Sequence, residues 1–198
     1  MPNAPIQRQK GLDAAAAASV LKKRDIDRYW AALFAPAAKR SGLVALYAFN
    51  SELAHITAVV SEPMVGQIRL QWWRDAIELA IPGTKTGNPI ADALAAAIFE
   101  YEIEKESLLR MVDARLPEIL GEPPPDIPAL RAALWDRSGI IFGISANILG
   151  ASDAATRKAA EHAGLAYGLT ELLRSIPQQA SRRKLLLPPS YFESRGVD

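Results

Sequence analysis

Between Tyr47 and Val60 the apolar residues Phe49, Leu53, Ile56 and Val60 recur at spacings of four, three and four. At about 100° per residue those positions form one stripe, which predicts an α-helix with a buried face. The opposite face carries Tyr47, Ser51, Ala54, His55 and Ala58, small or polar where a second core stripe would hold leucine or isoleucine. Such a face lines a cavity or lies against another helix's backbone. Ser61-Glu62-Pro63 then closes this helix and opens the next, with Ser61 the expected N-cap and Pro63 in the first turn. In the second helix Ile68, Trp72, Ala76 and Leu79 share one side, and of Trp72-Trp73 one ring is expected inward and one partly exposed.

The same periodicity extends along the chain. Residues 1–12 read as a mobile tail, followed by a short helix over the alanine run that ends at Lys22-Lys23-Arg24. Asp25 is placed to cap a helix with Tyr29, Trp30, Leu33 and Phe34 on one packing face, until Pro36 interrupts. After the stop at Ile81-Pro82-Gly83 and the loop Thr84–Asn88, helices are predicted over Ile90–Glu100 and Leu108–Leu120, the latter with Leu109, Val112 and Leu116 inward. Gly121 to Pro125 breaks the chain. Leu130, Leu134 and Ile141 mark a helix through Ser138-Gly139 to Leu149, whose Gly139, Gly143 and Ala146 suit close helix contact. From Ser152, an expected N-cap, a long helix reaches Ile176 and stops at Pro177, with Leu165, Leu169, Leu172 and Ile176 as its apolar stripe. Its other face gathers Gly164, Gly168, Glu171, Arg174 and Ser175. No stretch alternates with period two between hairpin turns, so the reading is an all-α single domain, 13–198.

Composition removes several function classes. With 23 Lys and Arg against 22 Asp and Glu, the net charge of +1 supplies no field for nucleic acid. There is no cysteine, which excludes disulfides and thiolate metal sites, and two histidines do not make a zinc site. The basic start and alanine run are interrupted by Asp13 and do not read as a secretory signal. No window approaches the roughly 18 to 20 apolar residues of a spanning helix. The expected location is the cytoplasmic or organelle-matrix side, soluble to peripheral on the membrane.

Tyr47-Ala48-Phe49, the turn, and Arg69-Leu70-Gln71-Trp72-Trp73-Arg74 resemble the first signature region of the squalene and phytoene synthase family, whose enzymes join prenyl diphosphates head to head. Gly164, Ala166, Leu169, Thr170, Leu173, Arg174, Ala180, Arg182 and Pro188 resemble the second. The resemblance covers about Asp25 to Asp198 and implies an isoprenoid-synthase-like helical bundle. Family members usually continue further, so closing C-terminal helices are expected to be lacking. The departures fall on the acids: Ala54, His55 and Ala58 stand at the first aspartate motif, and Ser175 and Gln179 at the second, with Gln178 replacing a further acid and Gly168 a glutamine. Ionising an allylic diphosphate takes Mg²⁺ held by several carboxylates. No metal or other cofactor is therefore expected, and Mg²⁺ enters only on an enzyme alternative.

The wording Phe49-Asn50-Ser51-Glu52-Leu53-Ala54 is similar to a divergent branch, the phytoene-synthase-like assembly factors of respiratory complex I. That likeness implies a non-catalytic protein acting by binding, with complex I subunits as partners. Two alternatives stand beside it: a divergent Mg²⁺-dependent prenyl transferase, in which Glu171, Arg174 and His55 would carry the chemistry, and a carrier of apolar ligands. Cavity-lining candidates are Tyr47, Ser51, Ala54, His55, Ala58, Gly164, Gly168, Glu171, Arg174 and Ser175. Arg174, Arg182, Arg183 and Lys184 are anion-binding candidates, for a diphosphate or an anionic membrane. Trp73, Arg69 and Arg74 are expected to be exposed partner contacts. The apolar Leu185–Leu187 and Tyr191-Phe192 are expected to self-associate, fold back over the cavity or touch a membrane.

Overall fold

Each apolar run at helical spacing forms a helix in the computed structural model of the protein, which describes residues 4–151, 153–181, 184–193 and 196. In chain order these are α1 (Ala4–Arg24), α2 (Ile26–Phe34), α3 (Ala37–Val59), α4 (Pro63–Glu78), α5 (Pro89–Glu100), α6 (Lys105–Asp113), α7 (Leu116–Leu120), α8 (Ile127–Leu134), a π turn (Trp135–Gly139), α9 (Ile140–Leu149), α10 (Ala154–Ser181) and α11 (Pro189–Glu193). No strand occurs among the described residues, and the all-α fold agrees with the sequence reading. α1, α2, α4, α5 and α9 all pack on α3. One main core forms around it, with Leu46, Phe49, Leu53, Ile77, Leu94, Met111 and Ile148 fully enclosed.

Local chemistry sets many of the ends. Asp25 accepts from the Arg28 amide at 3.1 Å, Asn88 from those of Ile90 and Ala91, and Asp126 from that of Ala129 at 2.8 Å. Gly121 and Gly150 end α7 and α9 in the left-handed conformation that glycine adopts without penalty.

Several expectations are corrected. Helix α1 reaches back to Ala4 through the stretch read as a tail. Glu62, not Ser61, precedes α4, and no side chain caps it. In α2, Phe34 is 89% exposed, and Trp30 is exposed too although its ring meets Tyr29 edge-on, so half of that expected packing face is turned outward. The predicted helix Leu108–Leu120 breaks at Ala114-Arg115, which turns Leu116 outward and Arg115 inward. The helix expected through Ser138-Gly139 is interrupted by the π turn, one extra residue per hydrogen-bonded ring. Helix α10 continues through Pro177 to Ser181. Ser152 lies outside the described residues, and the Asp153 carboxylate accepts from the Thr156 amide at 3.0 Å.

Two helices turn a face to their neighbours that departs, in α10 only in part, from the apolar side marked in the sequence. In α4 the core receives Gly66, Leu70, Trp73 and Ile77, while Ile68 is 64% and Leu79 71% exposed. In α10 Gly164 and Gly168 are buried together with Leu172 of the expected stripe, beside which Leu165 packs, while Leu169 of that stripe is exposed. The cause lies in the partner. α10 crosses the π turn so closely that a Cβ at Gly164 would overlap the Cα of Gly139, and one at Gly168 would stand 3.0 Å from the Ser138 Cβ. Gly143 has no neighbour that close, so of the small residues singled out on this helix Gly139 makes the tight contact and Gly143 does not.

Candidate functional site

A cavity of about 600 Å³ opens between the C-terminal half of α3, α7, the π turn and the C-terminal half of α10. Helix α3 contributes Ala54, Thr57, Ala58 and Val59; α10 contributes Gly168, Glu171, Leu172, Ser175, Gln178 and Gln179. The chain beyond α10 folds back across the cavity with Lys184 and Leu186 on its wall. Among the described residues four bonds tie this segment down: Gln179 Oε1 accepts from the Leu186 amide at 2.8 Å, the Gln179 carbonyl accepts from the Lys184 amide at 3.0 Å, Lys184 Nζ donates to the Ile119 carbonyl at 3.2 Å, and Ser190 Oγ donates to the Pro125 carbonyl at 3.1 Å. Leu186 and Leu187 pack with Leu130, Leu134 and Leu172 in a second, smaller core.

The floor is charged. Glu118 sits between two guanidinium groups, accepting from Arg137 Nη1 and from Arg115 Nη1, the latter at 3.5 Å. Arg115 Nη2 donates to Asn50 Oδ1 at 3.2 Å, tying the pair to α3. Burial alone would raise the Glu118 carboxyl, but Arg115, Arg137 and the Thr57 hydroxyl outweigh it and hold it below its ordinary value. Burial, with Arg137 and Arg28 nearby, lowers Arg115 from its ordinary value against the opposing pull of Glu118. Its guanidinium still carries its charge at neutral pH. The Arg115 Nε–H is buried and has no acceptor among the described residues.

Of the residues singled out in the sequence, Ala54, Ala58, Gly168, Glu171, Ser175 and Lys184 stand on this wall. Tyr47, Ser51, His55, Gly164 and Arg174 do not. Tyr47 lies 5.8 Å from the Arg28 guanidinium, Ser51 is buried, His55 is half-buried, and Gly164 is spent on the contact with Gly139. Arg174 is exposed and 3.6 Å from Glu171. Arg182 and Arg183 lie outside the described residues.

Sequence reasoning missed Arg115, Glu118 and Arg137. Arg115 and Glu118 fall three apart across the break after α6, and reading Leu108–Leu120 as one continuous helix pointed Leu116 inward in their place. Arg137 is turned to the cavity by the π turn, which leaves no signature in residue types.

The carboxylates present do not suit Mg²⁺. Glu118 already shares its Oε1 between two guanidinium groups, and Glu171 faces Arg174. At the two aspartate-motif positions of α10, Gln179 Nε2 donates to Ser175 Oγ at 2.6 Å, an amide–hydroxyl pair that holds the returning chain rather than a cation. Among the described residues no three His, Asp or Glu side chains gather as metal ligands would.

The pattern of the squalene/phytoene synthase family matches residues 21–198. The chain is 33% identical over 178 residues to a human protein named NADH dehydrogenase (ubiquinone) complex I, assembly factor 6, covering 90% of this chain and 54% of that protein. The Drosophila melanogaster homolog of that factor is 26% identical over 200 residues, covering 96% of this chain and 58% of the relative. A presqualene diphosphate synthase of Sinorhizobium fredii is 26% identical over 164 residues, 82% of this chain and 58% of that enzyme. The chain thus spans little more than half the length of these relatives. The helical fold, the cavity between α3 and α10 and this match over most of its length together show that the chain belongs to the squalene/phytoene synthase family.

Proposed function

We propose that the protein acts in the assembly of respiratory complex I, by binding rather than by prenyl transfer. The observation that carries this reading is the chemistry of the two facing helices. Where a synthase needs carboxylates on both sides of the cavity, α3 presents Ala54 and Ala58, and α10 presents Ser175 and Gln179. Methyl groups and a hydrogen-bonded amide cannot hold the ions that neutralise a departing diphosphate. The human, rat, bovine and mouse relatives named as complex I assembly factor 6 are 31% to 33% identical and support the same direction.

The partner is then a subunit or intermediate of complex I. No helix among the described residues is long and apolar enough to cross a membrane, which fits attachment through protein or lipid contact at a surface. The surface expectation needs one correction: Trp73 is 3% exposed and stacks edge-on against Phe49 in the core, whereas Trp72 is 40% exposed. Arg74 is tied to Asp113 at 2.5 Å and Arg69 is exposed, so Trp72 and Arg69 are the residues to test.

Deleting the gene in its own host should lower assembled complex I and leave isoprenoid products unchanged, and Trp72→Ala with Arg69→Ala should reduce recovery of respiratory subunits on the tagged protein. The likeness to a presqualene diphosphate synthase favours prenyl transfer as the second reading. Purified protein given farnesyl diphosphate, Mg²⁺ and NADPH should release no diphosphate above a protein-free control. Mg²⁺-dependent release, abolished by Glu171→Ala, would establish that second reading instead.

A further inference from the structure

Helix α2 presents two unlike faces. Inward, Ala32 is buried, and the Arg28 guanidinium pairs with Asp25 at 3.1 Å and lies 4.5 Å from the Tyr167 ring. Outward, Ile26, Trp30 and Phe34 recur at every fourth residue, which sets them in one row roughly 12 Å long. Their exposures are 43%, 52% and 89%. Large apolar side chains left together in water mark a contact surface.

The charge around this row is lopsided. Between Lys22 and Arg40 lie six basic residues and two acidic ones, in a chain whose net charge is only +1. Arg24 is 2.5 Å from Glu52, and Arg28 is held by Asp25. Lys22, Lys23, Lys39 and Arg40 have no carboxylate within ion-pair distance among the described residues. Lys22 lies 5.9 Å from the Tyr29 ring, Lys39 4.8 Å from that of Tyr101, and Arg40 Nε donates to the Ala35 carbonyl at 2.8 Å. The two lysines close α1 just before α2 begins, and Lys39 and Arg40 open α3 just after it ends. Against them stands Asp27, exposed in the first turn of α2.

A single row of three side chains is narrow for a protein partner, since stable interfaces engage roughly 20 to 30 residues a side. It suits a lipid bilayer, which demands no complementary shape. Amphipathic helices lie in the interface with the apolar face sunk about 5 to 10 Å, tryptophan favours the headgroup level, and unpaired Lys and Arg are drawn to anionic lipid.

We propose that α2 is a membrane-contact helix that rests on an anionic lipid surface, with Ile26, Trp30 and Phe34 inserted and the basic residues at both of its ends on the lipid phosphates. Lipid contact through α2 is independent of the complex I reading, and either stands if the other fails.

The test is co-sedimentation of the intact protein with vesicles of phosphatidylcholine alone and of phosphatidylcholine mixed with phosphatidylglycerol. Binding to the mixed vesicles is expected, about tenfold or more tighter than to phosphatidylcholine and weakened by added salt. Trp30→Ser with Phe34→Ser should weaken it by about tenfold or more, Lys22→Gln and Lys23→Gln by about fivefold each, and Asp27→Asn should tighten it. Tryptophan emission should move to the blue on vesicle addition in wild type and much less in Trp30→Phe. If the double serine variant fails to fold, Phe34→Ser decides, because that ring is the most exposed of the three. No binding to the mixed vesicles, binding that ignores lipid charge and salt, or undiminished binding by folded Phe34→Ser would each overturn the proposal. So would self-association of the vesicle-free protein in sedimentation velocity that Phe34→Ser abolishes, which would give this face to a second copy instead.

Discussion

Trp72 and Trp73 are neighbours in α4 whose rings meet edge-on, yet only Trp73 also reaches Phe49 in the core. Trp73→Ala should cost about 3 to 5 kcal/mol in urea unfolding, because it empties an enclosed ring site, whereas Trp72→Ala should cost well under half as much. Two glycines divide the same way. At Gly164 any side chain collides with backbone across the helix crossing, so Gly164→Ala should lower the unfolding midpoint markedly. Gly143 sits in mid-helix with open space where a Cβ would go, so Gly143→Ala should stabilise by about 0.5 to 1 kcal/mol. Calorimetric melting of the two variants beside wild type checks both signs.

Helix α4 separates what periodicity conveys from what it leaves open. Both of its sides are apolar at helical spacing: Leu70, Trp73 and Ile77 on one, Met64, Ile68, Trp72 and Leu79 on the other. Sequence therefore establishes the helix and not which side the core takes; here Gly66 decides, since it lets Ile119 of α7 approach where a Cβ would come within 2.7 Å. Ile68→Ser with Leu79→Ser should leave the unfolding free energy from urea titration within about 0.5 kcal/mol of wild type. Loss of most of the stability would show that side to be covered. In α10 the glycines read as relief on a polar face, but a missing side chain is what allows the closest packing, so the smallest residues mark the buried side. The facing walls of the cavity were legible through Ala54, Ala58, Gly168 and Ser175, all set by regular helix geometry. The arginine floor was not, because it depends on the break at Ala114-Arg115 and on the π turn, where regular spacing fails.

Across the whole molecule, the Arg115–Glu118–Arg137 cluster joins α7, the π turn and, through Asn50, α3. The folded Glu118 carboxyl lies below its unfolded value of about 4.3. Its contribution to stability is thus fully present above that value and is lost as pH falls through the lower, folded one. Glu118→Gln should destabilise the protein at pH 7, and its deficit against wild type should narrow as urea midpoints are taken toward about pH 3. The returning chain bears on a different property. Lys184 to Ile119 and Ser190 to Pro125 each close a loop of 65 residues, the same span as the Arg115 to Asn50 bond at the cavity floor. On the ribosome α1 to α6 emerge and can dock around Phe49 well before residues 184–190 exist outside the exit tunnel. The nascent protein therefore passes through a stage in which its core is formed but its cavity stands open, with Arg115 and Arg137 facing the surrounding solution until the last of these residues is released.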